Sequence, residues 1–394
     1  MVALRARSPP ARTKILRSSA DMWFFYLVAV LMLGIGAFLW HRYRSVSSQE
    51  FLLGGVLSFA LAGLFHLIAY LSVATDTETL SGRIFEVIHS PSWVERYTYV
   101  ETYSTGSGKY RQTHTRIRTA YRTHPENWRI QDTIPNSFYV TEEVYRGYVQ
   151  KFSNNGSKPE VRLGSRPGFH SGDRNDYFCV CPLTLIEPTT DYQFFENRIR
   201  SGPSTFGFEK IDPKDKTLPE YPNNGNHLVS DRLVGEAAHH INIRDWDQLN
   251  AILGPKKHVN LILVGFNNQP SMQAHRLRSK WFGGKKNDLV LCYGYVDGKV
   301  TWAEVFSWSK SELCKQNLRT ILLENNIEES ILPKIRHEVE TNYVARDWND
   351  FSYIQIEPPF WCYLVFMLVV VCGMVAYYYW AINNDHDKPF GSVR

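Results

Sequence analysis

Three stretches of this chain carry no Asp, Glu, Lys or Arg: residues 22–40 (MWFFYLVAVLMLGIGAFLW), 51–74 (FLLGGVLSFALAGLFHLIAYLSVA) and 360–382 (FWCYLVFMLVVVCGMVAYYYWAI). About 20 apolar residues are needed to cross a hydrocarbon core of roughly 30 Å. None of the three shows a polar face, so none has the pattern of a surface helix in a globular domain. Trp23, Trp40, Trp361 and Tyr377 to Trp380 sit near their ends, where amphipathic rings favour the headgroup level. The expectation is a transmembrane hairpin over 22–74 and one transmembrane helix over 360–382. The first stretch ends in Trp40-His41-Arg42 and is followed at once by the second, which excludes a cleaved signal peptide. His66, the one ionisable group inside these stretches, is expected to be neutral and bonded to a neighbouring helix.

Sidedness follows from Lys and Arg near the ends of the spans. The tail 1–21 has Arg5, Arg7, Arg12, Lys14 and Arg17; the first loop has Arg42 and Arg44; the tail 383–394 has Lys388 and Arg394. The N-terminus and the soluble part are therefore expected in the cytoplasm, with an extracytoplasmic soluble part as the alternative. The soluble part holds Cys179, Cys181, Cys292 and Cys314, too few and too scattered for a disulfide framework. A net charge of +5 with both signs mixed implies no particular acidic partner.

Residues 76–153 have β character. Residues 97–104 (YTYVETYS) and 109–119 (KYRQTHTRIRT) are rich in Thr, Tyr and Val and flank the loop TGSG, a hairpin signal. With Ser104 opposite Lys109, Tyr103 would face Tyr110, Tyr99 would face His114 and Tyr97 would face Arg116. Arg111, Arg116 and Arg118 make this hairpin basic. Interleaved with tyrosines they form a candidate binding face, although charge on a strand also serves simply to keep it soluble, and no nucleic-acid partner is expected. Residues 154–235 are punctuated by NNGSKPE, GSRPG, SGDRND and DPKDKTLPEYPNNGN, which predict turns and a loop-rich connection packed on the soluble body. Within it, Cys179 and Cys181 in YFCVCPL lack a second pair at zinc spacing and are expected to be small buried residues.

From 236 to 357 the periodicity changes to that of an α/β unit. Residues 245–253 (DWDQLNAIL) have helical spacing and end at Gly254-Pro255; 258–266 (HVNLILVGF) is a strand-length apolar run. A basic helix over 273–282 follows, then strands 289–296 and 299–306 joined by Asp297-Gly298. Ser309 with Glu312 has capping-box spacing, and 331–344 is a last helix with Ile331, Ile335, Val339 and Val344 on one side. His239-His240 precedes a helix start at Asn242. Gly283-Gly284-Lys285-Lys286 looks like a phosphate cradle, but it leaves a helix C-terminus and enters a strand. A P-loop has the opposite order, and the dipole here has the wrong sign for an anion.

Trp281, Gly284, Asn287, the strand 289–293 and Asp297-Gly298, in this order of elements, resemble the TPM-domain family over residues 245–345. The resemblance implies a small α/β domain of the kind found in thylakoid-lumen repair proteins and membrane-tethered bacterial proteins. The whole layout, with its β region opening on DTETLSG, resembles uncharacterised membrane proteins of tailed bacteriophages. The resulting fold class is an α+β membrane protein: a two-helix transmembrane hairpin, a β-rich region, a TPM-like unit and one C-terminal transmembrane helix. No nucleophile–base pair, metal cluster or glycine fingerprint stands out, so the expected function is a membrane-anchored, non-catalytic interaction protein acting at a host cell membrane. Its expected partners are the lipid bilayer and a protein, and no cofactor is identified. The alternative implied by the family is a metal-dependent phosphatase-like hydrolase. Asn287, Asp288 and Asp297 would then hold calcium or magnesium, with Lys285 and Lys286 beside them as binding residues.

Overall fold

The computed structural model describes residues 23–43, 48–106, 108, 111–134, 136–212, 215–222, 227–228 and 231–383. The basic tail 1–21, Arg44, Lys388 and Arg394, on which the sidedness expectation partly rests, lie outside the described residues. The chain opens with helices α1 (Trp23–Tyr43) and α2 (Ser48–Ala74). Five strands follow: β1 (Thr75–Ser90), β2 (Trp93–Thr105), β3 (Gln112–His124), β4 (Asn127–Asp132) and β5 (Ser137–Val140). After α3 (Glu142–Asn154) come β6 (Glu160–Leu163), β7 (Phe169–Gly172), β8 (Asn175–Val180), β9 (Pro188–Glu196) and the short α4 (Arg198–Ser201). The remainder is β10 (Leu233–Gly235), α5 (Ile243–Lys257), β11 (Asn260–Asn267), α6 (Met272–Lys280), β12 (Asp288–Val296), β13 (Lys299–Ser307), α7 (Glu312–Glu324), α8 (Leu332–Asn342) and α9 (Phe360–Asn383).

The protein is therefore mixed α+β. It divides into two compact units, each discontinuous in sequence: 1–77 with 194–210 and 347–394, and 78–193 with 211–346. In the first unit α1, α2 and α9 share an apolar core that includes Phe25, Ala62, Ala69, Phe366 and Met374. The Phe25 and Phe366 rings meet edge-on at 4.8 Å, a favoured aromatic geometry. Two helical segments, Phe51–Ala74 and Phe360–Trp380, are long and apolar enough to cross a membrane. Among the described residues the apolar part of α1 is Phe24–Phe38, shorter than a crossing needs, so the structure supports two helices of spanning length where three spans were expected. His66 differs from expectation as well: its ring packs against Tyr26 at 5.6 Å, and its Nδ1 is buried without a hydrogen-bond partner.

Among the described residues the second unit contains three sheets. In the largest, β1 is central in the order β5-β4-β1-β8-β6, with β9 also paired to β1. Its core gathers Ile84, Val87, Ile130, Phe138, Phe152 and Cys179. The stretch expected to be mostly loop thus supplies five strands among the described residues, β6 to β10. Short strands interrupted by Gly, Pro and Asp leave little periodicity to detect. Cys179 and Cys181 are buried, and burial pushes both thiols up, Cys181 to about 11, as small apolar packing requires. The second sheet is β10-β11-β12-β13, with β10, β11 and β12 parallel and β13 antiparallel to β12. Leu261, Leu263, Leu289, Leu291 and Tyr293 pack on α5, α7 and α8, while Ile262, Val264, Val290 and Cys292 pack on α6. Covering both faces explains the unbroken apolar runs in β11 and β12. The third sheet is β3-β2-β7.

The expected order of elements from α5 to α8 is present, with local differences. Pro255 lies inside α5, which runs on to Lys257 and is closed by His258 at φ 54°. Asn242 caps α5 as expected, its Oδ1 accepting from the Arg244 N–H at 2.9 Å. Ser311, not Ser309, caps α7 through the Cys314 N–H, while the Ser309 hydroxyl donates to the Val344 carbonyl at 2.7 Å. Val344 lies beyond the end of α8 and is 52% exposed, so it does not continue the buried stripe of Ile331, Ile335 and Val339. Asp297 (φ 48°) and Gly298 (φ 84°) turn the β12–β13 hairpin in the left-handed conformation that such a two-residue loop needs.

Candidate functional site

Gly283 and Gly284 prove to be a helix stop. α6 ends at Lys280, and Phe282, Gly283 and Gly284 follow with φ of 51°, 80° and 88°. The Gly283 N–H donates to the Arg278 carbonyl at 2.8 Å and that of Gly284 to Trp281 at 2.9 Å, so the turn satisfies the helix's last carbonyls. A Cβ on Gly283 would lie 2.6 Å from the Trp308 indole, which adds a steric need for glycine.

The turn is held by Asp288. This fully buried carboxylate accepts from the Lys285 N–H (2.6 Å), the Tyr221 hydroxyl (2.8 Å) and Asn260 Nδ2 (2.8 Å). Asn260 Oδ1 accepts in turn from Arg232 Nε at 2.8 Å. Arg232 is itself buried, and its other nitrogens reach Asp247 (3.3 Å), Ser81 (2.8 Å) and Thr190 (3.2 Å). Burial pushes the Asp288 carboxyl up and the Arg232 guanidinium down, each opposed by these partners. Next to Asp288, Asn287 Nδ2 donates to the Thr79 carbonyl at 2.6 Å. Glu78 is buried, with Oε1 3.6 Å from Lys286 Nζ and 3.3 Å from His258 Nε2.

The residues expected near a metal therefore separate. Asn287 immediately precedes β12 and Asp288 begins it; Asp297 is exposed at the hairpin tip beyond its other end, roughly 30 Å away along an extended strand. Asp288 meets only N–H and O–H donors, a set that suits a carboxylate and offers no second oxygen ligand to a cation. Among the described residues no three His, Cys, Asp or Glu side chains form a metal-sized group. Lys285 lies over the Tyr221 ring at 5.1 Å and Lys286 faces Glu78, so both lysines have partners. The chemistry this network supports is cohesion: a chain of hydrogen bonds joining β1, β9, β11, β12 and the segment around Tyr221. Glu78, Thr79 and Ser81 escaped detection because DTETLSG alternates like a solvated strand. No local signal reports partners more than 150 residues away.

The other notable feature is the β2–β3 hairpin. Each strand has 13 residues, so the ribbon is roughly 40 Å long. β7 pairs with β2 only at Trp93, Val94 and Glu95, leaving the rest two-stranded. The observed register pairs Tyr103 with His114, Tyr99 with Arg118 and Tyr97 with Ala120, four positions along β3 from the expected one. The correction arises because the strands stop at Thr105 and resume at Gln112, a longer connection than TGSG. At the base, Trp93 stacks on His124 at 4.1 Å and lies under the Arg166 guanidinium at 5.5 Å.

Along one face run Glu95, Tyr97, Tyr99, Glu101 and Tyr103 with Arg122, Ala120, Arg118, Arg116 and His114. Arg116 and Arg118 both reach Glu101 Oε2, at 2.5 and 2.6 Å, while Arg116 also lies over Tyr103 and Arg122 over Tyr97. Arg111 is exposed beyond the start of β3. The opposite face presents Val100 directly across from Ile117, 65% and 77% exposed. The structure thus brings Arg116 and Arg118 together on β3, whereas Lys285 and Lys286 lie in the turn before β12, a strand of a different sheet.

Compared with known proteins, the chain matches no family model, no curated protein and no solved structure.

Proposed function

We propose that this is a membrane-anchored, non-catalytic interaction protein whose docking arm is the β2–β3 ribbon. The ribbon carries the reading: an isolated two-stranded hairpin gains little stability in water, yet this one extends for 13 residues per strand with both faces open. Exposed Tyr, Arg, Val and Ile are the side chains that anchor protein interfaces and interfacial membrane contacts. Anchoring rests on Phe51–Ala74 and Phe360–Trp380, whose outward side chains, among them Leu52, Val56, Leu364 and Leu368, are apolar and uncovered. Burying them in lipid removes an apolar surface that no soluble monomer would keep. A cytoplasmic soluble body, which the charge of the tail 1–21 favours, requires α1 to cross as a third span, since two crossings must then precede Thr75. The TPM-like and phage-protein resemblances agree with a tethered α/β protein. The phosphatase-like alternative loses support because Asp288 is committed to three donors.

The experiment is photo-crosslinking of the full chain in native membranes, with the crosslinker replacing Tyr99 or Ile117. A discrete adduct, absent when residues 97–120 are replaced by a short turn, is the expected result. A chain that forms no adduct but hydrolyses phosphoesters overturns the proposal.

A further inference from the structure

The four-stranded sheet ends at β13, which has β12 on one side and, among the described residues, no strand on the other. α6 packs on one face of this sheet and α7 on the opposite face. Where the two helices overhang the edge they leave a groove of about 250 Å³ floored by residues 304–307 of β13. Arg278 of α6 forms one rim; Lys315, Gln316 and Arg319 of α7 form the other. Positions 312, 315, 316 and 319 fall on one helical stripe, so α7 presents a continuous polar face to the groove.

Donors outnumber acceptors here. Arg319 meets Glu304 at 3.3 Å, but its buried Nε has no hydrogen-bond partner. Lys315 meets Glu312 at 2.5 Å and the Ser307 carbonyl at 3.4 Å. Arg278 is exposed and has no ion-pair partner among the described residues. An edge strand also carries alternate backbone N–H and C=O groups that its single neighbour does not engage.

We infer that this groove receives an extended acidic peptide segment of another protein, added to β13 as a fifth strand. Side chains of an added strand alternate between the faces of the sheet. Acidic residues at adjacent positions therefore meet Arg278 on one side and the free Nε–H of Arg319 on the other. Backbone bonds to β13 supply affinity and the two guanidinium groups supply selectivity. The site is separate from the ribbon and does not depend on that reading.

The test uses the full chain in nanodiscs and a fluorescein-labelled octapeptide of Val and Thr with Glu at the two central positions. Saturable anisotropy is expected, at least tenfold weaker with Arg278→Glu at an unchanged thermal midpoint, and likewise with the milder Arg278→Gln in the same direction. N-methylation of alternate peptide nitrogens should abolish binding in one of its two registers, and Lys in place of Glu should abolish it outright. No binding, equal binding of the Lys peptide, or indifference to N-methylation in both registers overturns the inference. So does concentration-dependent self-association that Arg278→Glu removes, because the edge would then pair two copies of this chain.

Discussion

Removing the Asp288 carboxylate would leave the Lys285 N–H, the Tyr221 hydroxyl and Asn260 Nδ2 facing an empty buried space. Each unmet buried donor costs about 1–3 kcal/mol. Asp288→Ala is expected to destabilise the protein by about 3 kcal/mol in urea unfolding, and Asp288→Asn by less, since its Oδ1 still accepts. Millimolar calcium or magnesium should leave the thermal midpoint of the wild-type protein unchanged. A metal-dependent rise lost in Asp288→Ala would restore the hydrolase reading. Asp132 gives a pH signature. Burial pushes its carboxyl from 3.8 up to about 6, opposed by bonds from the Asn136 N–H and the Thr189 hydroxyl. A raised carboxyl binds its proton more tightly when folded, so its contribution is most favourable below the unfolded pKa. It is lost as pH rises through about 6. Asp132→Asn should therefore flatten the stability profile between pH 4 and 6 and stabilise the protein at pH 7 by up to about 3 kcal/mol. Denaturation midpoints across that range check it.

At the scale of elements, what could be foreseen was local. β11 and β12 were visible because both faces are covered, and the β12–β13 turn because Asp297-Gly298 contains its own conformational requirement. The ribbon's existence was visible in its Thr and Tyr content. Its register was not, because Ser104 and Lys109 carry no mark that the strands part before they meet. β1 was the hardest case: its buried Glu78, Ser81 and Glu86 acquire partners only from distant segments, such as Arg162 for Glu86 at 2.8 Å. Gly283→Ala is expected to cost about 1–3 kcal/mol, because φ is 80° and the Trp308 indole occupies the space; thermal unfolding measures it. Trp93→Ala removes the stack on His124 and the seat of Arg166, and should speed proteolysis of the ribbon while the protected body persists.

For the whole molecule, alkaline carbonate should leave the chain in the vesicle pellet, and with α1 crossing as a third span a Thr105→Cys variant in intact cells should resist an impermeant maleimide added to the medium. Labelling from outside would reverse the sidedness. The stretch 236–346 bonds to segments outside it. Its Asn287 bonds to Thr79 across 208 positions, and Arg232, just upstream, bonds to Ser81 across 151. A fragment of residues 236–346 is expected to lack a cooperative melting transition that the full chain shows.

The same long spans set a schedule for biosynthesis. At about 5–20 residues per second, a ribosome takes roughly 10–40 s to deliver Asn287 after Thr79 has been polymerised. Throughout that interval β4, β8 and β9 are already made and able to pair with β1, but its Thr79 carbonyl still lacks Asn287, and Glu78 and Ser81 wait for His258, Lys286 and Arg232. Transcripts truncated before codon 285 should yield products bound by chaperones and cleared by proteases, because the strand made first is among the last to be completed.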